Sequence, residues 1–397
     1  MPFLPLARRS ALVASAIALA TTVVVAAPAI AAAPGTETIT FTIDDIDYWA
    51  ATPDGSKIVM SSYDESKILI IDTATNSIST AADPTSLLEG PGQIAITPDG
   101  LTAYVANYSR FTVAIVDITT GAITGEITDP AFSGPWALAL NRAGDQLLMH
   151  DYNTEILYVI DIGTNAVIDS LDLSGAGTSA TEDAWSVVVS PDGSKAFVVY
   201  DDGSIIVVDL TTLTVDDEFV PPALGYLPGS CVSPDGSTIY QADWESLSFR
   251  SVSLETGDVL ATNPSTPRSP ADPTSGTFCT VSPNGQSVFL TDQDASSPGV
   301  VTEYDAQTLA LIATHSFDDV DLTQHVMVYS ACEAYVTGRD GNAQTFDLDC
   351  AAAPELAATG TNSAVTGFAA LLAALLLSLG GIALAVRRRY SAVRSNQ

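Results

Sequence analysis

Basic residues are scarce in this chain: 14 Lys and Arg stand against 47 Asp and Glu over 397 residues, a formal charge of −33 at pH 7. A surface of that sign repels nucleic acid and anionic lipid, so neither is expected as a partner of the body. Histidine is scarcer still, with only His150, His315 and His325. They fall in different parts of the chain at different register, which argues against a three-histidine metal centre. No G-x-S-x-G, H-E-x-x-H, C-x-x-C or Gly-rich phosphate loop occurs, which removes the usual signatures of serine hydrolases, zinc peptidases, thiol redox enzymes and nucleotide binders. No cofactor is expected. Asp292-Gln293-Asp294 and Asp201-Asp202-Gly203 offer the hard oxygens calcium prefers, but neither fits a twelve-residue EF-hand loop, and solvated turns account for them.

The two ends lack acids altogether. Residues 1–31 carry Arg8 and Arg9, an apolar run from Ala11 to Ala27, and Ala29-Ile30-Ala31 in an A-x-A pattern. This reads as a secretory signal peptide, removed on export, with the general pathway fitting better than a twin-arginine one; the alternative is a retained N-terminal helix. At the other end, Ala364 to Val386 holds no charge, and Arg387-Arg388-Arg389 opens a basic tail, residues 387–397. A helix over 364–386 spans roughly 34 Å, enough to cross a bilayer, and the arginines keep the tail cytoplasmic. Loss of both ends removes six arginines and no acids, leaving a body with 8 basic against 47 acidic residues, or −39.

Just before that span, within a short linker at 351–363, stands Leu356-Ala357-Ala358-Thr359-Gly360. It resembles the L-A-x-T-G sorting signal of actinobacterial class E sortases. The resemblance implies attack by a sortase cysteine on the Thr359–Gly360 bond and transfer to an amine of the cell-wall peptide. The alternative is simple retention as a one-helix membrane protein. Either way the chain is expected outside a Gram-positive-type cell, anchored to wall or membrane.

Between the ends runs a repeat. Thr52-Pro53-Asp54-Gly55 recurs as Thr97-Pro98-Asp99-Gly100, Ser190-Pro191-Asp192-Gly193, Ser233-Pro234-Asp235-Gly236 and Ser282-Pro283-Asn284-Gly285, with degenerate copies at Asn141-Arg142-Ala143-Gly144 and Tyr329-Ser330-Ala331-Cys332. The first residues of the copies, 52, 97, 141, 190, 233, 282 and 329, are spaced by 45, 44, 49, 43, 49 and 47 residues. Each unit has an apolar strand into the turn, a second strand after it, a third ending in Asp72, Asp117, Asp161, Asp209, Asp305 or Asp347 (Ser253 in the fifth unit), and a polar fourth. Short β-branched strands at this spacing predict an all-β, seven-bladed propeller of four-stranded antiparallel blades over residues 36–350. The seventh unit lacks a fourth strand, while Thr36–Ile43 forms a spare alternating strand before the first. It is expected to complete the last blade and close the ring.

With Ala103-Tyr104-Val105-Ala106-Asn107 and Tyr158-Val159-Ile160-Asp161, the body resembles the YVTN-repeat propellers. These are seven-bladed, mostly exported or surface proteins, related in shape to lactonase-type propellers. That resemblance speaks to fold and not to chemistry.

The register assigns the cysteines and the candidate site. Cys332 and Cys350 flank one hairpin of blade 7 and are expected to pair. Cys231 and Cys279 lie on the first strands of blades 5 and 6, one residue out of register, and read either as a disulfide or as two buried thiols. The residues closing the second strands include Asn107, Asp151, Asp243 and Asp292; next to such positions sit Tyr63, Tyr108, Tyr152 and Trp244, and Trp136 and Trp185 enter the first strands. In a propeller these positions share the face around the channel mouth. Carboxylates mixed with ring faces suit a cationic or carbohydrate ligand, whereas the plainer reading packs the rings between blades and uses the aspartates as caps. The function expected is a non-catalytic binding or adhesion module for a glycan, cationic or envelope-protein ligand. Thr359 follows Cys350 by nine positions, at most about 30 Å, so the body is held near the wall. The alternative is a lactonase-like hydrolase using His150 or His325 with Asp151 or Asp292.

Overall fold

The computed structural model describes residues 38–40, 46–176, 184–222, 227, 229–243, 248–263, 278–292, 298–321, 323–330, 333–338 and 342–348. The signal segment, the sorting motif with Thr359 and Gly360, the span at 364–386, and Cys332 and Cys350 lie outside them. Among the described residues no helix is long and apolar enough to cross a membrane.

Seven four-stranded antiparallel sheets follow one another, six of them in simple sequence order. The last is built from Thr323–Val328, Glu333–Gly338 and Asn342–Asp347, with Thr38–Thr40 as its outer strand. That leading strand pairs antiparallel with Asn342–Gln344 in the register Thr38↔Gln344 and Thr40↔Asn342. First and last segments of the body thus share a blade, and no blade is left with an open third strand.

Alternation along each strand explains why middle strands read as unbroken apolar runs. In blade 3, Leu148 packs with residues of blade 4, while Leu147 and Met149 pack with blade 2. Both faces of a blade are therefore buried, and a polar residue on a middle strand, such as Gln241 or Arg250, finds its partner inside the protein. The described residues form seven hydrophobic clusters, each drawn from two neighbouring blades. The core is thus a ring of inter-blade layers. Fourth strands face solvent and are protected differently. In blades 2 to 6 one residue of the outer strand is skipped by the ladder: Thr124, Ile168, Asp216, Leu260 and Ile312. These bulges twist the edges away from flat pairing with another sheet.

The recurring turn is a joint between blades. Thr97 Oγ1 donates to Asp99 Oδ1 (2.6 Å), and the same carboxylate oxygen accepts the Leu101 amide (3.0 Å). Ser190 and Asp192 repeat the arrangement. In the degenerate third copy, Asn141 Oδ1 accepts the amides of Asp145 and Gln146, both at 3.1 Å, in place of the hydroxyl–carboxylate pair. Each of the first six turns also seats on the one before. A Cβ on Gly144 (φ +72°) would lie 2.6 Å from Pro98 Cδ, and one on Gly55 would collide with the Tyr329 carbonyl. That second contact links the first copy to the seventh and closes the ring of turns.

The third-strand aspartates cap the outer hairpins. Asp161 Oδ1 accepts both the Thr164 amide (2.7 Å) and its hydroxyl (2.6 Å). Ser253 Oγ takes the amides of Glu255 and Thr256 at 3.3 and 3.2 Å, so the replacement in blade 5 keeps the cap.

A disulfide joins Cys231 to Cys279, with 5.6 Å between Cα atoms. The one-residue offset is real, since Cys231 faces Tyr240 and Cys279 faces Leu290. First strands of adjacent blades approach closely enough to span it.

Candidate functional site

Second strands end at Ser62, Asn107, Asp151, Tyr200 and Ala242 in blades 1 to 5, and at Asp292 and Gly338 in blades 6 and 7. At Asn107 and Asp151 the side chain turns inward, to the loop entering its own blade. Asp151 is 0% exposed. Its Oδ2 accepts the Ser133 and Gly134 amides (2.7 and 2.9 Å), and its Oδ1 those of Asn153 and Thr154 (3.2 and 3.1 Å). Asn107, equally buried, takes the Glu89 amide at 2.7 Å and donates to the Leu87 carbonyl and Thr112 hydroxyl at 2.6 and 3.0 Å. A polar residue closing the second strand thus clamps the entry loop, and four amides leave Asp151 no free oxygen for a ligand. Asp243 is likewise buried. The side chain of Asp292 and all of Trp244 lie outside the described residues.

The aromatic residues do converge. Trp136 occupies the skipped position of its first strand, between Pro135 and Ala137, and Trp185 the same position between Ala184 and Ser186. The bulge aims these indoles out of the ladder. Trp136 becomes a hub. Its ring lies 5.6 Å from Tyr48 and from Trp185, 5.5 Å from Tyr108, 5.9 Å from Tyr152 and 6.5 Å from Tyr63, centroid to centroid. The contacts with Tyr48, Tyr108 and Trp185 are edge-to-face, at 90°, 83° and 83°. Rings from four blades therefore meet on one face, and all six are half-buried. Tyr48 is the member the repeat alignment misses. It stands one register position further along its first strand than the two indoles, opposite Ser61.

Two of the tyrosines are held by a repeated device. Tyr63 reaches from blade 1 into blade 2, where its hydroxyl lies 3.2 Å from Ser109 Oγ and its ring covers Gly90. Tyr108 reaches from blade 2 into blade 3, donates to Asn153 Oδ1 (3.3 Å), and covers Gly134. A Cβ on Gly90 would stand 2.8 Å from Tyr63 Cε2, and one on Gly134 2.9 Å from Tyr108 Cε2, so only glycine leaves room for the ring. With the hydroxyls tied to a neighbouring blade, the orientation of both rings is fixed.

Polar groups lie beneath this platform. His150, 0% exposed, has Nε2 3.3 Å from Glu155 Oε2, and the Tyr200 hydroxyl donates to the same oxygen at 3.3 Å. Burial, with the Glu155 charge beside it, pushes the Tyr200 phenol far above its ordinary range. Neither nitrogen of His150 makes a hydrogen bond, nor do Trp136 Nε1 and Thr154 Oγ1. His325 sits elsewhere, at the junction of blades 7 and 1, with Nε2 2.8 Å from the Ile46 carbonyl oxygen. Burial holds its imidazole down to about 4. His315 is on the outer strand of blade 6, 3.3 Å from Glu303. The three histidines are thus on separate blades, and no group of three or more His, Cys, Asp or Glu that could hold a metal occurs among the described residues.

No family model matches this chain, and no curated protein does. Among solved structures, it is similar to the hydrazine synthase of Kuenenia stuttgartiensis, with a TM-score of 0.63 at 17% identity, over 78% of this chain and 97% of that one. At that identity the likeness is one of fold.

Proposed function

We propose that this chain is an exported, envelope-anchored propeller acting as a non-catalytic binding or adhesion module, with the ring cluster around Trp136 as its contact surface. The observation that carries this reading is six half-buried aromatic side chains, from four separate blades, meeting on one face. Aromatic clusters of this size belong to a buried core unless something outside uses them. The hydrolase reading would need polar groups converging where substrate can reach. His150 and Asp151 are wholly buried, and Asp151 is engaged by four amides.

The likeness to YVTN-repeat surface propellers and the L-A-x-T-G-type motif belong to the same proposal. The motif would place the body at the wall, where a polymer, an envelope protein or a diffusing ligand can meet the platform. The test is binding of residues 34–355 to wall fragments and a glycan array, alongside turnover of a lactone panel. The binding module predicts saturable binding that falls by roughly tenfold or more in Trp136→Ala and Trp185→Ala, with no turnover. Lactone turnover that disappears in Asp151→Ala or Asp292→Ala would establish the hydrolase instead. Wall-released protein ending at Thr359, seen by mass spectrometry, tests the anchoring.

A further inference from the structure

Resting on the reading of the platform as a contact surface, we infer that its ligand is a polycation: a lysine-rich peptide segment whose ammonium groups lie over the rings. Ring faces attract a cation through their quadrupole, and Trp136 and Trp185 are the strongest partners of this kind. The charges around them agree. Asp47, Asp64, Glu89, Asp129 and Glu155 stand on the loops that carry or flank the rings, and Asp47 touches the site directly, its Oδ2 accepting the Tyr63 amide at 2.6 Å. Among the described residues, the basic side chains on the second hairpins of blades 1 and 2 are paired, Lys67 with Glu65 at 2.6 Å and Arg110 with Glu126 at 2.8 Å.

Two further features choose among ligands. The hydroxyls of Tyr63 and Tyr108 are engaged with Ser109 and Asn153, which leaves a sugar fewer polar handles, whereas a cation needs only the ring faces. The carboxylates are spread over blades 1 to 3 rather than gathered at one point, so several charges on one chain match them better than a single small cation. An anionic polymer meets the wrong sign throughout.

The experiment titrates residues 34–355 with an oligolysine peptide, its fully N-acetylated counterpart and a neutral chitin-type oligosaccharide, following tryptophan fluorescence and calorimetry. Acetylation removes the charge and keeps the chain. Oligolysine is expected to bind saturably and at least about tenfold more tightly than the acetylated peptide, weakening as salt rises. Trp136→Leu, which leaves the net charge intact, should lose most of that binding. Should Trp136→Leu lower the melting temperature, the surface pair Asp64→Asn and Glu89→Gln gives the second reading, with a several-fold loss for oligolysine and none for a neutral ligand. Equal binding of both peptides, or oligolysine binding unchanged in Trp136→Leu, overturns the inference. Saturable oligosaccharide binding without oligolysine binding overturns it too, while leaving the contact surface standing. Silence from all three ligands takes both away.

Discussion

The imidazole Nε2 of His325 stands 2.8 Å from the carbonyl oxygen of Ile46, tying the first strand of blade 7 to the segment that enters blade 1. A carbonyl can only accept, so Nε2 carries the proton, and burial keeps the ring neutral near pH 7. Ile46, 1% exposed, belongs to the cluster that also holds Met327 and Tyr335 of blade 7. The ring of blades is therefore closed twice at this seam, by the leading strand outside and by this bond near the axis.

That bond sets a pH dependence. Burial lowers His325 from 6.5 to about 4, so between those values the unfolded chain takes up a proton that the folded chain refuses. Stability should be full above about pH 6.5 and fall as pH drops towards 4, by up to roughly 3 kcal/mol. His325→Gln, which keeps a donor without the titration, should flatten that window in urea melts run across pH. A second loss belongs further down. The turn carboxylates of Asp54 and Asp192 are held at about 2 by hydroxyl and amide donors, so what they contribute is present above pH 3.8 and lost below it.

The bridge between Cys231 and Cys279 joins residues 48 positions apart in the chain. Closing a loop of that length in the unfolded chain is worth about 2–4 kcal/mol. Reduction, or the pair Cys231→Ser and Cys279→Ser, should lower the denaturation midpoint accordingly. Amide exchange should quicken first in the first strands of blades 5 and 6.

Gly144 stands where the third turn seats on Pro98. Gly144→Ala puts a side chain at φ +72° and 2.6 Å from Pro98 Cδ, and should cost about 1–3 kcal/mol. Gly175→Ala, with nothing within 4 Å of the added carbon, is the matched control. A melting temperature that falls for Gly144→Ala and holds for Gly175→Ala bears this out.

Truncation after Ile43 removes the strand Thr38–Thr40 and exposes the ladder edge of Asn342–Gln344. The truncated body should melt lower and associate as concentration rises, because the freed edge can pair with another chain. Equal stability and a monomer by light scattering would count against closure by this strand.

Much of this architecture could be read from the chain because the turn chemistry is local. Pro, Asp and Gly are each required by the joint they form, and Asn141 in the degenerate copy supplies the same acceptor by another route. The platform was partly legible. Trp136 and Trp185 fall at one repeat-equivalent position and Tyr63, Tyr108 and Tyr152 at another, while Tyr48 reaches the hub from a different register position. What alignment could not separate is a carboxylate that faces solvent from one that clamps a loop. Asp151 and Asp64 are chemically alike in sequence, and only the direction of the side chain at a strand end makes the first a buried clamp.

The pins on the tyrosines lead to the last prediction. Tyr63 and Tyr108 keep their rings over Gly90 and Gly134 partly by packing and partly through the contacts with Ser109 and Asn153. Tyr108→Phe keeps the packing and removes the hydrogen bond, which should cost about 1 kcal/mol of stability or less at a half-exposed site. Its effect on binding should be the larger one. A ring no longer fixed must be ordered by the ligand, at about 0.5–1.5 kcal/mol, so affinity should fall by a few-fold up to roughly tenfold. If the hydroxyl were itself a ligand contact, Asn153→Ala, which frees it and also removes the 2.7 Å bond from Asn153 Nδ2 to the Ser133 carbonyl, would improve binding. If it is a pin, Asn153→Ala should weaken binding about as much as Tyr108→Phe, and the double variant should be little worse than either alone.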